Sequence, residues 1–131
     1  MDCTIRECGR DDFRICRLVS GGFTFFTEKL KARLGLDLTR ANTLEIVDGK
    51  LTGKVTGEIV NADVKARTLR ETCAQLGIEP SRAIAMGDGS NDLKMMAAAG
   101  LSVAFRAKPV VREAASVAFN HVGLDGLLRL F

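Results

Sequence analysis

Tryptophan and tyrosine are missing from this chain, arginine and lysine form no run, and the net charge is only +3. Without stacking platforms or a basic stripe, nucleic-acid binding has little support. No apolar run approaches the roughly 20 residues that cross a bilayer, and the start of the chain has no signal-peptide pattern. A cytoplasmic protein without membrane contact is therefore expected. The one histidine, His121, has no visible partner for proton transfer, which leaves it a surface or packing role. Cys3, Cys8, Cys16 and Cys73 include no C-x-x-C pair, so zinc spacing is excluded and free thiols in a reducing compartment are the simplest account. Repeats, low-complexity tracts and linkers are also absent. What is present is 131 residues, 47% hydrophobic and 27% charged, which suits a single domain with a buried core and argues against disorder.

The stretch with the most chemistry is Ala83-Ile84-Ala85-Met86-Gly87-Asp88-Gly89-Ser90-Asn91-Asp92. A short apolar run reads as a buried parallel strand. An acidic turn follows, and residues 93–99 read as a helix stopped by Gly100. Strand, acidic turn and helix is the layout of a site at the carboxyl edge of an open α/β sheet. Asp88 and Asp92 stand four apart with Asn91 between them, and two crowded carboxylates favour a neutralising cation, magnesium being the one suited to hard oxygen ligands. An EF-hand is excluded because Leu93 and Ala99 stand where it needs Gly and Glu. A Walker loop is excluded for want of Gly-Lys-Ser/Thr. The plainer alternative is a polar turn whose Asp92 caps the following helix.

Ahead of this, residues 13–19 alternate as a strand that should break at Ser20-Gly21-Gly22. A helix then begins near Phe23, with Phe23, Phe26, Leu30 and Leu34 as its core face and Gly35 as its stop. The serine and glycines permit close backbone approach, and the helix start offers N–H donors to an anion; a plain glycine-rich turn is the competing reading. Residues 43–47, Asp48-Gly49 and 51–55 read as a β-hairpin at the sheet rim. A helix follows over Ala62–Leu76, capped by Asn61 and stopped by Gly77. Its stripe of Leu69, Cys73 and Leu76 steps back to Lys65, so a lysine lies on the inward face near the helix start, where the macrodipole disfavours a cation. Either Lys65 serves an anion or it snorkels to solvent. Residues 101–105 form another strand, Pro109 opens a short helix over 110–115, 117–119 is a last strand, and 124–130 a terminal helix. Arg106 and Lys108 follow a strand end and either lend positive potential to an anion site or lie in a solvated loop.

Three of these stretches, Ser20-Gly21-Gly22-Phe23-Thr24-Phe25-Phe26, Asn61 to Arg67 around Lys65, and Gly87 to Asp92, occur in an order that resembles the haloacid-dehalogenase superfamily. More closely, residues 13–131 resemble the C-terminal half of the bacterial phosphoserine phosphatases. That resemblance implies an α/β, Rossmann-like core, a parallel sheet flanked by helices with a β-hairpin excursion. It also implies magnesium-dependent hydrolysis of O-phosphoserine through an aspartyl-phosphate. Ser20 and Gly21 would hold phosphate oxygens, Lys65 would bridge phosphate and nucleophile, and Asn91 would contact phosphate or metal-bound water. Asp88 and Asp92 would serve the magnesium. Such a lysine is worth on the order of 4 kcal/mol to a phosphate about 4 Å away at an effective dielectric of 20.

The family's nucleophile motif, Asp-x-Asp-x-Thr at the end of a central first strand, does not occur in the chain. Met1-Asp2-Cys3-Thr4 resembles its last four positions, which would make Asp2 the general acid/base. The helical cap is missing as well. The expectation is a shortened member, inactive alone, with the central first strand missing or replaced by the N-terminal segment or by a second copy in a strand-exchanged homodimer. The alternative is a catalytically silent remnant that binds magnesium and phosphate or acts as an interaction module. Convergence of Ser20, Lys65 and the two aspartates on one phosphoryl pocket is the expectation on which the enzyme reading depends.

Overall fold

A computed structural model describes residues 15–130, so the possible strand-replacing segment over residues 1–12, Asp2 within it, and the expected strand positions Phe13 and Arg14 lie outside the described residues. The chain divides into two compact units, one reaching to Val60 and taking in the chain from Leu127, the other Asn61–Gly126. None of its helices is long and apolar enough to cross a membrane among the described residues.

In the first unit, β1 (Arg17–Phe23), α1 (Thr24–Leu34), β2 (Leu38–Val47) and β3 (Lys50–Thr56) follow in order, and the sheet runs β1-β2-β3. The first half of β2 pairs parallel with β1 and its second half antiparallel with β3. The strand anticipated to stop at Ser20 runs on through both glycines to Phe23, with a shift of register after Val19. Extended backbone is open to glycine, and the Ser20 hydroxyl accepts the Gly22 N–H at 3.0 Å, which steadies the irregular stretch. The helix accordingly starts at Thr24. Its buried stripe centres on Thr27 with Leu30 and Leu34 half-buried, while Phe26, expected in the core, is 60% exposed. Phe25 and Phe26 instead meet edge to face at 5.2 Å, and the Lys29 ammonium stands 4.0 Å from the Phe25 ring. The expected hairpin is present. Asp48 and Gly49 both take positive φ, 51° and 75°, the backbone that lets a two-residue turn follow the twist of its strands.

Asn42 is the polar centre of this unit. Buried in β2, its carbonyl oxygen accepts the Val60 N–H at 2.7 Å and its amide donates to the Gly21 carbonyl at 3.0 Å. Asn42→Ala strands both groups and is expected to cost about 1–3 kcal/mol in urea unfolding. A loss under about 0.5 kcal/mol would show that water replaces the amide, because a satisfied group carries no such penalty.

The second unit holds α2 (Ala62–Leu76), β4 (Ile84–Gly87), α3 (Leu93–Ala98), β5 (Leu101–Phe105), α4 (Pro109–Ala114) and β6 (Val117–Phe119), with a parallel sheet ordered β4-β5-β6. α2 has the bounds its caps imply. The Asn61 side chain accepts the Val64 N–H, and Gly77 ends the helix at φ 69°, a left-handed turn that a side chain would resist. Leu76, expected on the buried stripe, is exposed, because the helix is ending there and only its earlier turns face the core. That core is built of Ala66, Ala85, Met95, Met96, Ala104 and Val111, in which alanines allow close approach and the two flexible methionines fill the remaining space. Burial pushes the Cys73 thiol up, which keeps it protonated and unreactive. The expected terminal helix spans Leu124–Leu130 and is of the 3-10 type.

Candidate active site

The carboxyl edge of the second sheet collects the polar residues. β4 ends at Gly87, the chain turns through Asp88 and Gly89, and a single 3-10 turn over Ser90–Asp92 leads into α3. Asp92 is 4% exposed and Lys65 is 6% exposed, and they meet as an ion pair, Lys65 Nζ donating to Asp92 Oδ1 at 2.8 Å. The other Asp92 oxygen, Oδ2, accepts the N–H groups of Asp88 and Gly89, each at 3.2 Å. Asp92 therefore makes no cap bond to α3 and folds back on the loop before it. This overturns the plain capping alternative: the acid grips the acidic turn and a lysine from another helix.

Burying two opposite charges is worthwhile only with good geometry and with the remaining lone pairs satisfied. Both conditions are met here. Lys65 reaches the site because Asn61 starts α2 four residues earlier, its carbonyl accepting the Lys65 N–H at 3.0 Å. Gly87 makes room. A Cβ there would stand 2.5 Å from the Asp92 Cβ and 2.7 Å from its carboxylate. On the rim, the exposed Lys94 donates to Asp63 at 2.6 Å and holds that carboxyl below its usual range. The resulting support is present above the ordinary carboxylate range and fades as the pH falls through the lowered value.

Asp88 and Asn91 are exposed on the same turn, and no described residue pairs with the Asp88 carboxylate. Among the described residues no cluster of three or more His, Cys, Asp or Glu side chains stands ready for a metal. A lone outward carboxylate with amide and carbonyl oxygens nearby still suits magnesium, which uses one or two carboxylates and completes its shell with water and phosphate oxygens. Asp92, with both oxygens committed, fits a supporting part better than a ligating one. Ser20 and Gly21 belong to the first unit, where the Ser20 hydroxyl accepts the Gly22 N–H and Gly21 is an exposed residue.

Sequence reasoning missed Asn42 and Gly87. An asparagine inside a strand is disfavoured, and that was a usable signal for Asn42. Gly87 opens the stretch that carries the resemblance, but its spatial role depends on where the Asp92 side chain folds.

A model of the family described as haloacid dehalogenase-like hydrolase matches residues 5–97. A phosphoserine phosphatase of Polaromonas sp. is 59% identical over 117 residues, covering 86% of this chain and 50% of that protein. The unliganded crystal structure of a probable phosphoserine phosphatase from Vibrio cholerae superposes with a TM-score of 0.84 at 50% identity, covering 87% of this chain and 35% of that one. A phospho-aspartyl intermediate analogue of a phosphoserine phosphatase gives 0.80 at 40% identity, covering 88% and 55%. The chain spans half or less of the length of the curated relatives it matches, 50% of one and 28% of another.

Proposed function

The chain belongs to the haloacid dehalogenase-like hydrolase family, and from that membership we propose that it supplies the phosphate- and metal-binding part of a phosphoserine phosphatase. The observation that carries this reading is the buried Lys65 ammonium, 2.8 Å from Asp92 on the turn that presents Asp88. An ammonium in the first turns of a helix is opposed by the helix dipole, and an anion beside it is what makes the placement favourable.

In the proposed reaction a nucleophilic aspartate attacks the phosphorus of O-phosphoserine in line. The bond from phosphorus to the serine oxygen breaks, and that oxygen leaves with a proton from a general acid. Water then splits the aspartyl-phosphate and returns the free carboxylate and phosphate. The protein's contribution is positioning and charge stabilisation. Lys65 neutralises charge between phosphate and nucleophile, Ser20 and Gly21 donate to phosphate oxygens, and Asn91 donates to phosphate or to water. Asp88 would hold magnesium with Asp92 in support, and the bound metal would neutralise phosphate charge. Asp2 is assigned the general acid/base.

No Asp-x-Asp-x-Thr motif occurs among the 131 residues, so this chain alone is expected to release phosphate from O-phosphoserine no faster than the magnesium-containing buffer. Adding a polypeptide that carries the motif, from the unmatched part of a relative, is expected to restore release, and Asp88→Asn to remove it again. Turnover by the pure chain that Asp88→Asn abolishes would overturn the dependence on a second segment. No turnover with any added segment would favour a silent magnesium- and phosphate-binding module. β1 and β4 are edge strands among the described residues, and we propose that the added strand, or a second copy in a strand-exchanged homodimer, covers these edges.

A further inference from the structure

The loop after β5 differs from an ordinary connection in three ways. Arg106 sits at φ 44°, in the left-handed region that residues with a Cβ seldom enter. Its N–H donates to the Phe119 carbonyl at 2.8 Å, and the Lys108 N–H approaches the Asp88 carbonyl at 3.4 Å, so the end of β6 and the acidic turn both hold it. Both side chains are exposed cations, and neither forms an ion pair with a described residue. The Arg106 guanidinium lies 5.5 Å from the Phe105 ring, within range of a cation–π contact that limits its sweep.

Register places this loop beside the acidic turn. Gly87 and Ala104 are partners across β4 and β5, so Asp88 follows β4 next to Phe105, the last residue of β5, and Arg106 comes after it. Adjacent strands are about 4.8 Å apart, which brings both cations within side-chain reach of what Asp88 would hold. A glycine would occupy the Arg106 backbone without strain. Strain retained at an arginine, on the rim of a site, is the kind of outlier that points to function.

Resting on the reading above, we propose that Arg106 and Lys108 form a cationic rim that recruits the anionic groups of the substrate and sets the preference for strongly anionic phosphomonoesters. A cation about 4 Å from an anion in a water-like medium is worth about 1 kcal/mol, or roughly fivefold in affinity. The test is a 31P NMR titration of the full chain in magnesium, with inorganic phosphate and with O-phosphoserine, at two salt concentrations. Arg106→Gly and Lys108→Ala are each expected to weaken binding roughly fivefold at low salt and less at high salt, and Arg106→Lys to restore most of it. The Arg106→Gly melting temperature is expected to be unchanged or higher, because glycine relieves the backbone. Loss for both ligands places the phosphate at the rim, and loss for O-phosphoserine alone places its carboxylate there; either supports the proposal. Wild-type binding by Arg106→Gly and Lys108→Ala, with Lys65→Met and Asp88→Asn impaired, would overturn the rim and leave the proposed function standing. Binding insensitive to all four substitutions, or no binding by the wild type, would overturn both.

Discussion

Lys65→Met is expected to destabilise the chain by about 3–5 kcal/mol, because it leaves the Asp92 carboxylate buried without its counter-charge. The methionine keeps most of the lysine's volume, so the loss reports charge and hydrogen bonding more than packing. Asp92→Asn strands the ammonium instead and should cost a similar amount. It retains one oxygen for the Asp88 and Gly89 N–H groups, so the acidic turn keeps part of its support. In the double variant neither charge is left unpaired, and the combined loss should fall short of the sum by about 1–3 kcal/mol, the coupling expected of side chains in direct contact. Urea unfolding of the four proteins checks this. Additive losses, or a Lys65→Met loss below about 1 kcal/mol, would mean that the ammonium leaves Asp92 for water and behaves as an exposed pair does. Lys65 would then lose its claim to an anion as well.

Gly100→Ala is expected to cost about 3 kcal/mol or more, for a reason unrelated to chemistry at the site. A Cβ at Gly100 would stand 1.7 Å from the Ser81 carbonyl oxygen and 2.4 Å from its carbon. Those atoms are backbone and cannot rotate aside. Nor can Gly100 shift freely, since its N–H is shared between the Pro80 and Ala83 carbonyls, each at 3.0 Å. The substitution must part the end of α3 from the turn before β4, and with it the alignment that delivers Ala85 and Gly87 to the sheet. Thermal unfolding measures the loss. A variant within about 1 kcal/mol of wild type would show that this crossing is loose, because close-packed backbone cannot absorb a methyl so cheaply.

The two substitutions mark where the sequence could be read and where it could not. α2 was legible to the residue because its punctuation is local: Asn61 bonds its own first turn and Gly77 closes its last. The Asp48-Gly49 turn was legible for the same reason, as the residues that permit positive φ are the ones written there. The end of β1 was misread because glycine permits extended backbone as readily as a turn, and the choice lay with a partner strand 21 residues away, through the bond from Asn42 to Gly21. Phe26 was misplaced although Leu30 and Leu34 keep to the inward side, because Thr27 takes the buried place beside them, and helical spacing alone does not choose between neighbours at the margin of a stripe.

Composition, turn chemistry and the spacing of Asp88, Asn91 and Asp92 pointed by themselves to the α/β class, most of the element order and an acidic turn at a strand end, with a lysine on the inward face of another helix. Such signals act within a few residues, and a reader of the chain has access to them. Only the folded structure decided that Asp92 turns back on its own loop, that Lys65 closes on it, that Gly87 must be bare, and that Arg106 holds a left-handed backbone. Lys65 meets Asp92 from 27 residues away and Arg106 is held by Phe119 of another strand, contacts that local pattern does not encode. Asp92 and Gly87 depend on the direction a side chain takes within its own turn.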